Sequence, residues 1–392
     1  MPWRATCPMD ERTQFIAACL LREEPMSALC RRFGISRKTG YKWVARYGAG
    51  GPPALVERSH AVHRQPAAVA PGIARTILAL RTRHPHWGPR KLRAWLGQHA
   101  LGDWPAPSTI GVLLHRAGLT VSRRRRHRAV GSPSRAAAPG ANAVWAADFK
   151  GWFRTGDGRR CDPLTISDVY SRYLLRCQTV AAAQFELVQP IFAATFREYG
   201  LPEVLRTDNG APFASSGGLS RLAVWWIRLG IRPERIAPGH PEQNAEHERL
   251  HRTLKQETAS PPHATVAAQQ RAFDRFRRVY NHERPHEALG QQPPATRYTA
   301  SPRPFPERMP NVEYPDAFLV RRAHPNGDVK WRGRRVLISQ ALAGEPVGIE
   351  EITDGRWRVW FGPVELGWLD ARRPDRMHRH VITPNLSPIS PV

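Results

Sequence analysis

The stretch Val144-Trp145-Ala146-Ala147-Asp148-Phe149-Lys150-Gly151-Trp152 decides how the rest of the chain is read. Trp145, Ala147 and Phe149 alternate with Val144, Ala146, Asp148 and Lys150, the period of two that a strand imposes on its side chains. Asp148 is therefore mid-strand, on the face that also carries Ala146 and Lys150. A carboxylate there must be hydrogen-bonded, ion-paired or metal-bound to offset the cost of leaving water. A second acid in such a place, Asp208, ends the short run Val204-Leu205-Arg206-Thr207 just before an Asn209-Gly210 turn.

Beyond the first strand, Gly156-Asp157-Gly158 turns the chain, and residues 164–169 and 173–180 predict two further strands of an antiparallel meander. Residues 183–199 predict a helix closed by Gly200. The strand ending at Asp208 follows, then an apolar helix at 219–229, a strand at 231–237 and a helix from about Gln243 through Lys255. The order βββαβαβα implies a mixed sheet flanked by helices, a ribonuclease H-like arrangement in which the fourth strand lies beside the first. Asp148 and Asp208 are then neighbours. A third acid must come from the helix after Pro241, where Glu242, Glu246 and Glu248 compete. Asn244, Glu248, His251, Arg252 and Lys255 share one helical face, whereas Glu246 lies about 160° from Glu248, so Glu248 is the better candidate.

Three carboxylates offer hard oxygens that suit Mg2+ or Mn2+. Two such ions about 4 Å apart can activate an attacking oxygen and stabilise a leaving one in phosphodiester chemistry. Asp148 is expected to bridge both ions, with Asp208 on one and Glu248 on the other, and no protein nucleophile is required. Lys150, His251, Arg252 and Lys255 are placed to hold phosphates. Asp162, Asp168 and Glu186 have no neighbouring motif to recruit them and read as structural acids.

The charge of the chain agrees with a polyanionic partner. Over 392 residues it carries 59 Lys and Arg against 33 Asp and Glu, a formal net charge of +26, and double-stranded DNA is the expected partner. Residues 1–147 hold 24 basic and 6 acidic side chains, so most of the excess is N-terminal. With 41% hydrophobic and 23% charged residues, wholesale disorder and a fibrous architecture are excluded. No run approaches the roughly 20 apolar residues of a membrane span, and the start opens no apolar signal segment, so a cytoplasmic, nucleoid-associated protein is expected. Cys7, Cys19, Cys30, Cys161 and Cys177 form no CxxC pair and predict free thiols rather than disulfides or a zinc site.

Residues 1–50 predict a helix-turn-helix. Apolar stripes at Phe15, Ile16, Cys19 and Leu20, then Met26, Leu29, Cys30 and Phe33, lead into Phe33-Gly34-Ile35-Ser36, a glycine turn with a Ser N-cap. In the helix that follows, Ser36, Arg37, Lys38, Tyr41, Lys42 and Arg46 are the candidate DNA contacts. Residues 70–120 predict a second helical module, winged or helix-turn-helix-like, and residues 121–142 a basic linker built on the arginine run 123–126. The catalytic core is assigned to 143–298. After a Pro-rich linker, short alternating runs with Asn326-Gly327 and Asp354-Gly355 turns predict a small SH3-like β-barrel at 316–370 and a disordered tail at 371–392. The fold class is multidomain α/β.

Three blocks then carry a family resemblance. Residues 145–152 quoted above, Arg206-Thr207-Asp208-Asn209-Gly210-Ala211-Pro212-Phe213 and Pro238-Gly239-His240-Pro241-Glu242-Gln243-Asn244-Ala245-Glu246-His247-Glu248-Arg249 resemble the DDE blocks of bacterial insertion-sequence transposases. The IS481 group looks nearest, with the IS3 group and retroviral integrases further off. Tyr280-Asn281-His282-Glu283-Arg284-Pro285-His286 is similar to the segment that follows the third acid in that superfamily. The resemblance places the acids on Asp148, Asp208 and Glu248. The interval before Glu248 is longer than the family's usual one, which would select Asn244, and the excess is assigned to the loop Ser215-Ser216-Gly217-Gly218. The paired His/Cys zinc spacing of retroviral integrases is not reproduced. The resemblance implies a transposase that binds terminal inverted repeats, nicks element ends and joins the freed 3′-hydroxyl to target DNA, acting as a homo-oligomer on DNA. The alternatives are a catalytically inactive, domesticated DNA-binding regulator, which would not need the acids, and a nuclease acting on RNA:DNA hybrids.

Overall fold

The computed structural model describes residues 8–57, 69–120, 138–214, 219–236, 245–353 and 355–379. The basic run 123–126, the loop 215–218, residues 238–244 of the third block and the end of the expected tail, 380–392, lie outside them. The chain divides into two compact units, Met1–Val69 and Ala70–Val392.

The first unit is the expected helix-turn-helix: α1 (Pro8–Leu21), α2 (Met26–Arg32) and α3 (Arg37–Gly50) around Phe15, Ile16, Leu29, Cys30, Trp43 and Leu55. Gly34 turns the chain with φ +64°, and Ser36 caps α3 by accepting a hydrogen bond from the Thr39 amide at 3.2 Å. A Cβ on Gly40 would stand 2.6 Å from Cys30 Sγ and 3.1 Å from Phe15 Cζ, so α3 meets α1 and α2 where only a hydrogen fits. The opposite side of α3 leaves Arg37, Lys38, Tyr41 and Lys42 exposed.

In the second unit, α4 (Pro71–Arg83), α5 (Pro89–His99) and α6 (Pro107–Arg116) each open with proline, whose missing N–H is no loss in a first turn. They close over Ile77, Trp87, Leu92, Leu96, Ile110 and Leu114. The core follows with β1 (Val144–Phe149), β2 (Phe153–Arg154), β3 (Arg160–Asp168), β4 (Leu174–Val180), α7 (Phe185–Tyr199), β5 (Val204–Thr207), α8 (Arg221–Arg228), β6 (Arg232–Arg235), α9 (Ala245–Thr258) and α10 (Val266–His282). The sheet runs β4-β3-β1-β5-β6, with β2 pairing the start of β3. β1 is antiparallel to β3 and parallel to β5, the mixed ribonuclease H-like sheet expected from the element order. β1 stops sooner than its alternation predicts, because Gly151 takes φ +86° and bends the chain away.

The two faces of the sheet are covered differently. Trp145, Ala147, Leu164, Ile166 and Leu205 pack with Val188, Phe192 and Phe196 of α7 and Leu222 and Trp226 of α8. Cys161, Leu174 and Cys177 pack with Leu250 and Leu254 of α9 and Phe273, Phe276 and Tyr280 of α10. The Pro-rich stretch that reads as a linker is laid against this core: Tyr298 stacks on Tyr173 with centroids 4.4 Å apart, and the Arg303 guanidinium donates to the carbonyls of Pro202 and Gly230 at 2.8 and 2.9 Å.

The C-terminal strands form a five-stranded antiparallel sheet, order β13-β12-β11-β10-β7, and the hairpin β8-β9. The strands are β7 (Leu319–Arg322), β8 (Asp328–Trp331), β9 (Arg334–Leu337), β10 (Pro346–Thr353), β11 (Arg356–Phe361), β12 (Val364–Asp370) and β13 (Arg373–Arg379). Both pieces share one core, which also takes in Ala223, Val224 and Ile227 of α8 and Leu219 just before it. Residues 373–379, inside the stretch expected as a disordered tail, form β13, which pairs with β12 at the sheet edge and places Met377 in the core. No helix among the described residues is long and apolar enough to cross a membrane.

Gly40→Ala should loosen the first unit by about 1–3 kcal/mol, since the added methyl must push α3 off Cys30. Amide hydrogen exchange of α1 to α3 in the full chain is expected to speed up accordingly. Unchanged exchange would contradict the close approach.

Candidate active site

β1 and β5 run side by side in parallel register, Val144 with Val204 through Ala147 with Thr207. The next residue on each chain is an acid, so Asp148 and Asp208 stand at the same level of adjacent strands. Asp148 lies on the face opposite Trp145 and Ala147, toward α9, with 15% of its side chain exposed. Asp208 turns its carboxylate back over its own turn: Oδ1 accepts from the Gly210 amide at 3.1 Å. A Cβ on Gly210 would come within 2.9 Å of Asp208 Oδ2, so glycine lets the carboxylate fold in this close. Burial raises the Asp208 pKa, and the Gly210 hydrogen bond only partly opposes it.

α9 lies over this face and presents two histidines, not a carboxylate, to the strands. His247 and His251, one turn apart, are 2% and 7% exposed. Both reach Thr165 Oγ1 from Nε2, at 2.6 and 2.7 Å. Thr165 is the β3 partner of Asp148 in the ladder and donates to its carbonyl at 3.1 Å. Burial pushes the His247 pKa down to about 4. His251 is lowered too, first by burial and then by the charges of His247 and Lys150. His251 is thus enclosed between α9 and the sheet, whereas the other α9 residues expected to hold phosphates, Arg252 and Lys255, are exposed. Its Nδ1 lies 3.9 Å from Asp148 Oδ2. Among the described residues, Asp148, His247 and His251 are the one group of three whose ligand atoms lie within 4.8 Å of one another.

Glu248 is exposed on the flank of α9 beside these histidines, as are Arg252 and Lys255 on the following turns. It is not brought into the cluster with Asp148. Glu246 is committed elsewhere, in an ion pair with Arg172. That pair borders a cavity of about 250 Å³ with Lys91, Arg249, Tyr280, Arg284 and His286. Asp168, read as structural, is fully buried and accepts from the amides of Ser171 and Asn142 at 2.7 and 2.8 Å. The segment Glu283 to Glu287 seats the α4–α6 module. Arg83 meets Glu283 at 3.3 Å, Arg90 meets Glu287 at 2.9 Å, and the Lys91 ammonium donates to the Pro285 carbonyl. His247, Thr165 and this seat were missed by sequence reasoning. The i, i+4 spacing of His247 and His251 was the available signal.

Comparisons with known proteins agree with this architecture. The description "Integrase core domain" matches residues 138–241 and again 229–294. "IS481 family transposase, C-terminal domain" matches 319–376, "Helix-turn-helix domain" 11–61 and "Homeodomain-like domain" 39–114.

The chain thus carries segments similar to an integrase core and to the C-terminal domain of IS481 family transposases.

Its curated relatives include an uncharacterized 31.7 kDa protein of insertion element IS407 from Burkholderia multivorans, 29% identical over 57% of this chain and 79% of that protein. Another is an uncharacterized 39.2 kDa protein of insertion element IS476 from Xanthomonas euvesicatoria, 30% identical over 59% of this chain and 65% of that protein. Similar solved structures include a simian T-cell lymphotropic virus intasome in complex with PP2A regulatory subunit B56 gamma, with 16% identity, coverage of 76% and 96% and a TM-score of 0.37. The HTLV-2 integrase catalytic core domain in complex with magnesium gives 13% identity, coverage of 41% and 99% and a TM-score of 0.33.

The raised pKa of Asp208 has a consequence for stability. Its ionised form is penalised by burial, so the protein without metal carries a cost that appears as pH rises through the Asp208 pKa and is absent below the ordinary carboxyl range. Asp208→Asn, measured by thermal unfolding without divalent ions, should raise the midpoint at pH 7 and lose that gain on acidification. A lowered midpoint at pH 7 would contradict this.

Proposed function

We propose that the chain is a DDE transposase that binds the terminal inverted repeats of its element, cuts DNA at the element ends and joins them to target DNA. The observation that carries this reading is the pair of acids on adjacent parallel strands, Asp148 and Asp208, beneath the helix that bears Glu248. A half-buried carboxylate whose desolvation is only partly offset by the Gly210 amide, as at Asp208, suits a site completed by a cation. Asp148, Asp208 and Glu248 would hold two Mg2+ or Mn2+ ions, which supply the positive charge that activates an attacking oxygen and stabilises a leaving one.

The chemistry needs no protein nucleophile. In the first step water attacks phosphorus at the element end, the bond to the 3′-oxygen breaks, and a 3′-hydroxyl is freed. In the second, that hydroxyl attacks a target phosphodiester and the target 3′-oxygen leaves, one P–O bond formed for each one broken. Lys150, Arg252 and Lys255 are cations around the acids suited to DNA phosphates. In the first unit, Arg37, Lys38 and Lys42 flank the exposed Tyr41 on α3, the side suited to a major groove. Ser36 serves the helix as its cap, and the Arg46 guanidinium lies 4.8 Å from the Trp43 ring centroid, so these two contribute to α3 itself as well. Two element ends must be held together, which calls for a homo-oligomer on DNA.

Asp148→Asn should abolish strand transfer and leave end binding intact, whereas Arg37→Ala should weaken end binding by about 1–3 kcal/mol. Joining by the Asp148 variant would overturn the reading. Glu248→Gln should cost about 100-fold or more in strand transfer. Glu246→Gln, which loses only the ion pair with Arg172, should cost far less. The reverse ranking would show that the wrong face of α9 has been assigned to the chemistry.

A further inference from the structure

The Thr165 hydroxyl has three neighbours: the Asp148 carbonyl at 3.1 Å, His247 Nε2 at 2.6 Å and His251 Nε2 at 2.7 Å. A hydroxyl has one proton and two lone pairs. The carbonyl has no proton to give, so the hydroxyl proton goes to it, and both histidines must donate from Nε2. A neutral imidazole that donates from Nε2 carries its lone pair on Nδ1. In His247 that lone pair is taken, since Ser167 Oγ lies 3.3 Å from Nδ1 and can donate to it. In His251 it faces Asp148 Oδ2 at 3.9 Å, one acceptor beside another and too far for an N–H···O bond. Two donor atoms each about 2.1 Å from a shared cation lie about 3 to 4 Å apart.

From this bond-by-bond accounting we infer that His251 is a direct nitrogen ligand, through Nδ1, of the cation held by Asp148, whereas His247 orients Thr165 and binds no metal. The inference rests on the reading of Asp148 as a metal ligand and adds what that reading does not contain, a nitrogen in an otherwise oxygen site. Imidazole favours Mn2+ and later first-row ions over Mg2+, which keeps to oxygen. The three bonds at Thr165 fix the His251 ring before any ion arrives, as outer-shell hydrogen bonds do for metal-binding histidines.

The test is pulsed electron paramagnetic resonance of the full chain with Mn2+ alone as probe. The wild-type protein should show a 14N coupling that becomes a 15N coupling when only histidine is labelled. It should persist in His247→Gln and vanish in His251→Gln, whose side chain can still donate to Thr165. By calorimetry, His251→Gln should weaken Mn2+ binding about tenfold and Mg2+ binding less than about twofold. Mn2+ binding that needs Asp148 but shows no histidine nitrogen would overturn the inference and leave the role of Asp148 standing. Binding indifferent to Asp148→Asn, or no binding, would overturn both. The wild-type coupling decides without any variant, so a folding defect in one of them cannot hide the answer.

Discussion

Parallel pairing of β1 with β5 is the constraint on which the site depends. Because Ala147 is opposite Thr207, each strand delivers a carboxylate at the next position, one on the sheet face under α9 and one at the mouth of a glycine turn. A one-residue slip would turn Asp148 toward the space filled by Phe192 and Trp226 and separate the pair. The heavy apolar packing of Trp145, Ala147 and Leu205 under α7 and α8 forbids that slip. The packing energy of one face thus fixes the chemistry of the other.

On that second face, α9 is held twice. Leu250 and Leu254 anchor it apolarly beside Phe273 and Phe276, and His247 and His251 anchor it through Thr165. The exposed flank with Glu248, Arg252 and Lys255 is thereby set in rotation about the helix axis relative to Asp148. Nearby, Val279 of α10 and the ion pairs of the segment that follows it seat the α4–α6 module against the core.

Much of this was legible in the sequence because it is written in short periods. The alternation of residues 144–149 survives because the two sides of β1 meet different environments, and Asn209-Gly210 marks the end of β5 as a turn must. The helix-turn-helix shows in the glycine turn and the Ser36 cap, both local. What escaped depends on contacts far apart in the chain. Thr165 is 82 and 86 residues from the histidines that converge on it, and no local pattern announces that meeting. Periodicity on α9 grouped His251 with the exposed cations, since spacing alone does not say which side of a helix boundary a residue falls on. β13 has backbone pairing and a single buried side chain, Met377, too little for a hydropathy pattern, and the Arg303 strap hides in a stretch whose prolines signal only a break.

The proposed function requires that Asp148 and Asp208, at the ends of β1 and β5, and Glu248 on α9 hold divalent ions together. Crystals of the full chain soaked in Mn2+ and measured by anomalous scattering test this most directly. The account predicts manganese about 2.2 Å from carboxylate oxygens of both Asp148 and Asp208, with Glu248 turned in to complete the site. Manganese found only elsewhere, or three carboxylates that stay apart at saturating metal, would contradict it.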